Sequence, residues 1–188
     1  MANARLDDTV TLLSDGRVLV TGGIDNTGKT LASAELYDPK TGKFSPAGSM
    51  TTTRAFHTAT LLSDGRVLIA GGEKKDTGVC ASCSTPSLAS AELYDPATGK
   101  FIPTGLMTTG RFSQTATLLL DGQVLIAGGA KDNSFTASLA SAELYDPKTG
   151  TFTATGSMAN ARQNNTATLL SDGRVLIAGS AGCEVYQP

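Results

Sequence analysis

Short apolar runs alternate with Gly, Asp and Pro along the whole chain, at intervals too short for an amphipathic helix. Val10, Leu12 and Leu13 precede Ser14-Asp15-Gly16, and Val18, Leu19 and Val20 follow it. Asp-Gly between two apolar runs marks a hairpin, because Gly accepts a positive φ without penalty. The pattern predicts strand a over about residues 7–13 and strand b over 17–21, ending at Gly22-Gly23. Strand c covers 33–37 and is closed by Asp38-Pro39-Lys40-Thr41-Gly42. Strand d begins near Phe44 and ends at Pro46 or Gly48. Strand b is almost continuously apolar, as expected of a strand covered on both faces by neighbouring sheets. No segment keeps a 3.6-residue apolar period, so the expected class is all-β.

This unit is written four times. Thr9 to Gly23 returns as Thr58 to Gly72, Thr115 to Gly129 and Thr166 to Ser180. Ala34 to Pro39 returns at Ala91–Pro96 and Ala142–Pro147, and in altered form at Cys183–Pro188. Met1, Met50, Met107 and Met158 are each followed four residues later by Arg5, Arg54, Arg111 and Arg162. A period of about 50 residues with several strands per unit belongs to propeller blades rather than helical solenoids. The blades are expected at about 1–49, 50–106, 107–157 and 158–188 of a single domain, 1–188, the last lacking its outer strand.

These residues resemble the Kelch repeat family of β-propellers. The resemblance rests on Gly22-Gly23 after strand b, Glu35-Leu36-Tyr37-Asp38-Pro39 closing strand c, and Thr41-Gly42-Lys43-Phe44 opening strand d. The Leu-Leu-Ser-Asp-Gly-Arg-Val-Leu and Met-x-x-x-Arg forms look like the bacterial branch, and the repeat is also similar to the propeller of the galactose oxidase group. The family usually carries Trp where this chain has Phe44, Phe101 and Phe152. Four blades is the lower end of the usual range of about 4–8, so the expectation is a strained small ring or, preferred, an open arc. An arc would be half of a two-copy ring or a piece of a longer chain, with self-association completing the ring.

Composition narrows the function classes. The net charge is −2, which offers no electrostatic footprint for nucleic acid. No apolar run is long enough for a membrane-spanning helix. Met1 to Asp8 lacks the apolar core of a signal peptide. Abundant Thr, Ser, Asn and Gly with few Lys fit an extracellular or cell-surface bacterial protein, exported through a leader outside this sequence.

Positions identical in every copy are assigned to the frame, and positions that differ are free to serve a ligand. The Asp-Gly pairs are read as hairpin chemistry, because calcium needs about 6–8 converging oxygens. Glu35, Glu92, Glu143 and Glu184 lie in separate blades, too far apart for paired acid–base work. Tyr37, Tyr94, Tyr145, Tyr186 and the Phe set are read as packing between blades. The segment between Gly-Gly and the strand c Glu is longest in the second unit (Gly72 to Glu92) and shortest in the fourth (Ser180 to Glu184). In an antiparallel blade the b–c and d–a connections share one face, and variable loops on a rigid frame are where binding sits. Lys74, Lys75, Asp76, Asp132, Asn133 and Phe135 lie in those loops. Arg5, Arg54, Arg111 and Arg162 precede strand a on the same face, and three residues on stand Asp8, His57, Gln114 and Asn165. These eight are candidates to ring a channel mouth, the four Arg favouring an anion through bidentate pairing or else bridging within the frame. Cys80 and Cys83 read as a loop disulfide or two loop thiols, and Cys183, in the place of Ala34, as a buried small residue.

The expected function is a non-catalytic binding or scaffold module for a protein or glycan, with no cofactor and no metal. The alternatives are part of a propeller enzyme or a structural self-assembly unit. Galactose-oxidase chemistry requires two His on copper, as that resemblance implies, and the chain has one, His57. There is no Gly-x-Ser-x-Gly elbow to carry a nucleophilic Ser.

Overall fold

Each hairpin is set by its Asp-Gly corner. In the computed structural model, which describes residues 1, 4–75, 86–132 and 137–188, Leu13 N–H donates to Arg17 O at 2.8 Å and Gly16 N–H to Leu13 O at 3.0 Å. Gly16 has φ 86°, so the corner is a three-residue loop with Gly in the left-handed position. Asp15 Oδ1 accepts from the Arg17 backbone N–H at 2.9 Å. The same loop recurs at Gly65, Gly122 and Gly173.

Four antiparallel sheets result. The first holds β1 (Thr9–Leu12), β2 (Val18–Thr21), β3 (Ser33–Asp38) and β4 (Lys43–Ser49). The second holds β5 (Thr58–Leu61), β6 (Val67–Ala70), β7 (Ser90–Asp95) and β8 (Lys100–Leu106). The third holds β9 (Thr115–Leu118), β10 (Val124–Ala127), β11 (Ala142–Asp146) and β12 (Thr151–Thr155). The fourth has three strands, β13 (Thr166–Leu169), β14 (Val175–Gly179) and β15 (Gly182–Tyr186). Among the described residues there is no helix. This is the all-β, four-bladed architecture expected from the repeats.

The core lies in the seams between blades. Leu13, Leu19 and Leu36 of the first blade pack on Met50, Val67, Ile69 and Tyr94 of the second. Leu62, Leu68 and Leu93 of the second meet Met107, Val124, Ile126 and Tyr145 of the third. Leu119 and Leu125 of the third meet Val175 and Ile177 of the fourth. Within blades, Tyr94 stacks on Phe101 and Tyr145 on Phe152, ring centroids 4.8 Å apart in both. The innermost strands run side by side, β1 with β5, β5 with β9 and β9 with β13. Among the described residues no fourth seam joins the last blade to the first, and Val10 and Leu12 of β1 are 68% and 64% exposed. The arc is open.

Cys183 departs from expectation. Its counterparts Ala34, Ala91 and Ala142 are buried, whereas Cys183 is exposed with a free thiol, because no following blade covers β15. Cys80 and Cys83 lie outside the described residues.

Candidate functional site

The invariant Arg of each unit turns into its own blade. Arg54 Nη1 donates to Gly71 O (2.7 Å) and Ser90 O (3.1 Å), and Nη2 to Ser90 Oγ (3.3 Å) and Glu92 Oε1 (2.8 Å). Arg111 repeats the pattern with Gly128, Ser141 and Glu143, and Arg5 with Gly22, Ser33 and Glu35. Arg162 keeps the Glu184 pair but takes Gly182 O, because β14 and β15 are joined by a tight turn. The Glu is satisfied from its other side: Thr51 N–H donates to Glu92 Oε2 at 2.7 Å and Thr108 N–H to Glu143 Oε2 at 2.8 Å. The Arg carbonyl accepts from the preceding blade, Gly23 N–H to Arg54 O at 2.9 Å and Gly72 N–H to Arg111 O at 2.8 Å. Each Arg thus joins two blades. Burial pulls the Arg54 and Arg111 guanidinium pKa down, and the Glu92 and Glu143 hydrogen bonds oppose that shift.

The variable position behind the Arg lies in a seam at His57 and Gln114. His57 is buried, with Nε2 at 3.0 Å from both Thr9 Oγ1 and Thr21 Oγ1 of the preceding blade. Gln114 is buried and donates from Nε2 to Ala70 O at 2.9 Å. Asp8 and Asn165 are half-buried. The ring of eight side chains expected at a channel mouth is therefore not what the structure builds. The guanidiniums point into the blades, and His57 and Gln114 face the preceding blade. The sequence pattern is the same for both arrangements, since it records position along the chain and not side-chain direction.

The inner rim is formed by the residues just before that position, which sequence reasoning passed over. Asp7, Phe56, Ser113 and Asn164 share a left-handed backbone, φ 52–55°. Phe56 N–H donates to Asp7 O at 3.1 Å, Ser113 N–H to Phe56 O at 2.9 Å, and Asn164 N–H to Ser113 O at 3.0 Å. This backbone ladder runs from blade to blade along the inside of the arc. An acid, an aromatic, a hydroxyl and an amide occupy one repeated backbone position. Their one sequence signal was that they sit at the centre of a three-residue stretch that differs in every copy, between an Arg and a Thr that repeat. Phe56 and Phe112 have ring centroids 6.2 Å apart. Asp7 has its pKa raised, first by burial and then by Glu73, with Lys75 opposing.

The long loops join this rim. Glu73 is 1% exposed and its Oε1 lies 2.9 Å from Lys75 Nζ. Lys75 O accepts from Thr30 Oγ1 at 3.1 Å, linking the b–c loops of the first two blades. Lys74 and Asp132 are half-buried. Asp76, Asn133 and Phe135 lie outside the described residues. Among the described residues no group of three His, Cys, Asp or Glu side chains is placed to hold a metal ion.

Residues 8–51 match the family model described as the Kelch motif, which supports a Kelch-repeat assignment for the repeated unit. No curated protein matches the chain.

Proposed function

We propose that the chain is a non-catalytic binding module that recognises a protein partner through the face carrying the ladder residues and the b–c loops. The observation that carries this reading is the ladder: one fixed backbone holds Asp7, Phe56, Ser113 and Asn164 in register along the inner rim. Chemistry that varies on a frame that does not is what a recognition surface requires. Phe56 on this rim, 6.2 Å from the Phe112 ring, supplies the aromatic contact that protein interfaces favour.

The test is differential capture from an extracellular protein fraction by the immobilised chain. A variant altered on the loop face, Phe56→Asn with a Glu for the exposed Lys131 of the third blade's b–c loop (Lys131→Glu), should lose its captured partner. A variant altered at the opposite corners, Arg66→Glu with Arg174→Glu, should keep it. Retention by the first and loss by the second would overturn the face assignment. Binding to a glycan array that competes with the captured protein would replace the protein reading with a glycan one.

A further inference from the structure

We infer that the two ends of the arc are the two halves of one interface, and that a second copy of this chain docks head to tail, its first blade on the fourth blade of the other. The inference is independent of the partner-binding reading.

The three internal seams say what each face is for. Toward its predecessor, the second blade presents Val67, Ile69 and Tyr94, with Ala59, Leu61 and Phe101 at the margin. The first blade places Val10, Leu12 and Phe44 at the corresponding marginal positions, 68%, 64% and 39% exposed. A groove of about 670 Å³ opens on this side, lined by Met1, Arg5, Phe44 and Pro46 among others. Met50, the counterpart of Met1, is buried in the first internal seam. Toward its successor, each earlier blade offers a buried Leu pair: Leu13 and Leu19, Leu62 and Leu68, Leu119 and Leu125. The fourth blade carries Leu170 and Leu176 in the same places, both half-buried, beside Val185 at 48% exposure. Apolar faces of this extent, open on a monomer, mark interaction surfaces.

A backbone feature supports the same fit. A Cβ on Gly22, Gly71 or Gly128 would lie 2.3, 2.5 or 2.6 Å from the carbonyl oxygen of Arg54, Arg111 or Arg162 on the next blade. These three Gly also have φ 62–68°, so their own backbone selects Gly as well as the blade that follows. Gly179 stands at the matching chain position without a positive φ, and a Cβ there would meet only Asn165 of its own blade. The approach that the Arg carbonyls make at the three internal seams is open at this end of the arc. The rim ladder also ends openly in register, with Asp7 at one end and Asn164 at the other. Both complementary faces lie on the same chain, so the contact is heterologous and closes into a ring or propagates.

Light scattering and sedimentation across a concentration series test this, with Leu12→Asp marking the first-blade face and Val185→Asp the fourth-blade face. Both side chains are exposed in the single chain, so each variant should unfold like the parent. The parent should self-associate. Each variant alone should be monomeric, its association weakened by about a hundredfold or more because a carboxylate would be buried in an apolar seam. An equimolar mixture of the two should recover a dimer and stop there, since the pair retains one intact interface. Val10→Asp serves as a second first-blade variant if Leu12→Asp fails to fold. A parent that stays monomeric at every concentration, association indifferent to these substitutions, or a mixture that does not recover would each overturn the inference.

Discussion

His57 should make the stability of this protein fall as pH drops below about 6.5. It is the only histidine, it sits in the first seam against Thr9 and Thr21, and its Nδ1 has no partner among the described residues. Burial, and then the Arg54 charge, push its pKa from 6.5 down to about 3. Folded protein therefore keeps the ring neutral while unfolded chain takes up a proton below about pH 6.5. Stability contributed by the neutral ring is complete above the unfolded pKa and is lost as pH falls toward the folded one. Between about pH 7 and pH 5 the loss is about 2 kcal/mol, from the titration of one group whose pKa differs by this much. In a chain of this size that lowers Tm by about 4–8 °C. The perturbation is His57→Gln, the residue found at the matching position of the third blade, where Gln114 reaches the preceding blade's carbonyl at 2.9 Å. Urea unfolding at stepped pH should show the slope in the parent and a flat line in the variant. A flat parent, or the same slope in both, would show that the seam admits the charged ring and that burial is not the controlling factor.

Two further outcomes follow from the frame. Arg111→Met leaves Glu143 buried without its guanidinium, and such a broken buried pair costs about 3–5 kcal/mol; urea unfolding checks it, and a loss near zero would return Arg111 to the list of ligand contacts. Tyr94 OH is buried with no partner among the described residues, whereas Tyr145 OH and Tyr186 OH lie 2.9 Å from Thr104 Oγ1 and Thr155 Oγ1 of the preceding blade. Ala47 stands where those Thr stand, so Ala47→Thr should stabilise by about 1 kcal/mol, seen as a raised Tm, and a lowered Tm would mean that the first seam has no room for the hydroxyl.

The fold was legible because each blade is specified locally and four times. The Asp-Gly corners and the apolar runs of β2, β6, β10 and β14 appear where the pattern placed them, whereas the Tyr and Phe rings, expected to pack between blades, also pair with each other within a blade. Direction was not legible. Arg54 and Glu92 are separated by most of a blade in sequence, and only the b–c crossover brings their side chains to 2.8 Å. Their joint recurrence in all four copies was the available clue, since a buried charge that repeats needs a partner that repeats with it. Cys183 was misjudged for a related reason. Its burial depends on a neighbouring blade, which the residue's own surroundings in sequence do not report.

The ladder explains how a repeat can hold its frame and still vary its chemistry. The Phe56, Ser113 and Asn164 N–H groups each donate to the preceding blade's equivalent carbonyl, so the spacing of the blades fixes the backbone there, whatever the side chain. Asp7 and Asn164 accept a left-handed backbone easily, because their short polar side chains tolerate it. Phe56 does not, and holding a bulky residue at φ 53° costs about 1–2 kcal/mol against an ordinary conformation. A strained residue persists where its surroundings over-determine the geometry. Here they do so through two backbone hydrogen bonds, one to each neighbouring blade. The frame thus tolerates an aromatic ring on the inner rim at a backbone angle that a free loop would relax, and a recognition surface built this way can change its residues without moving them.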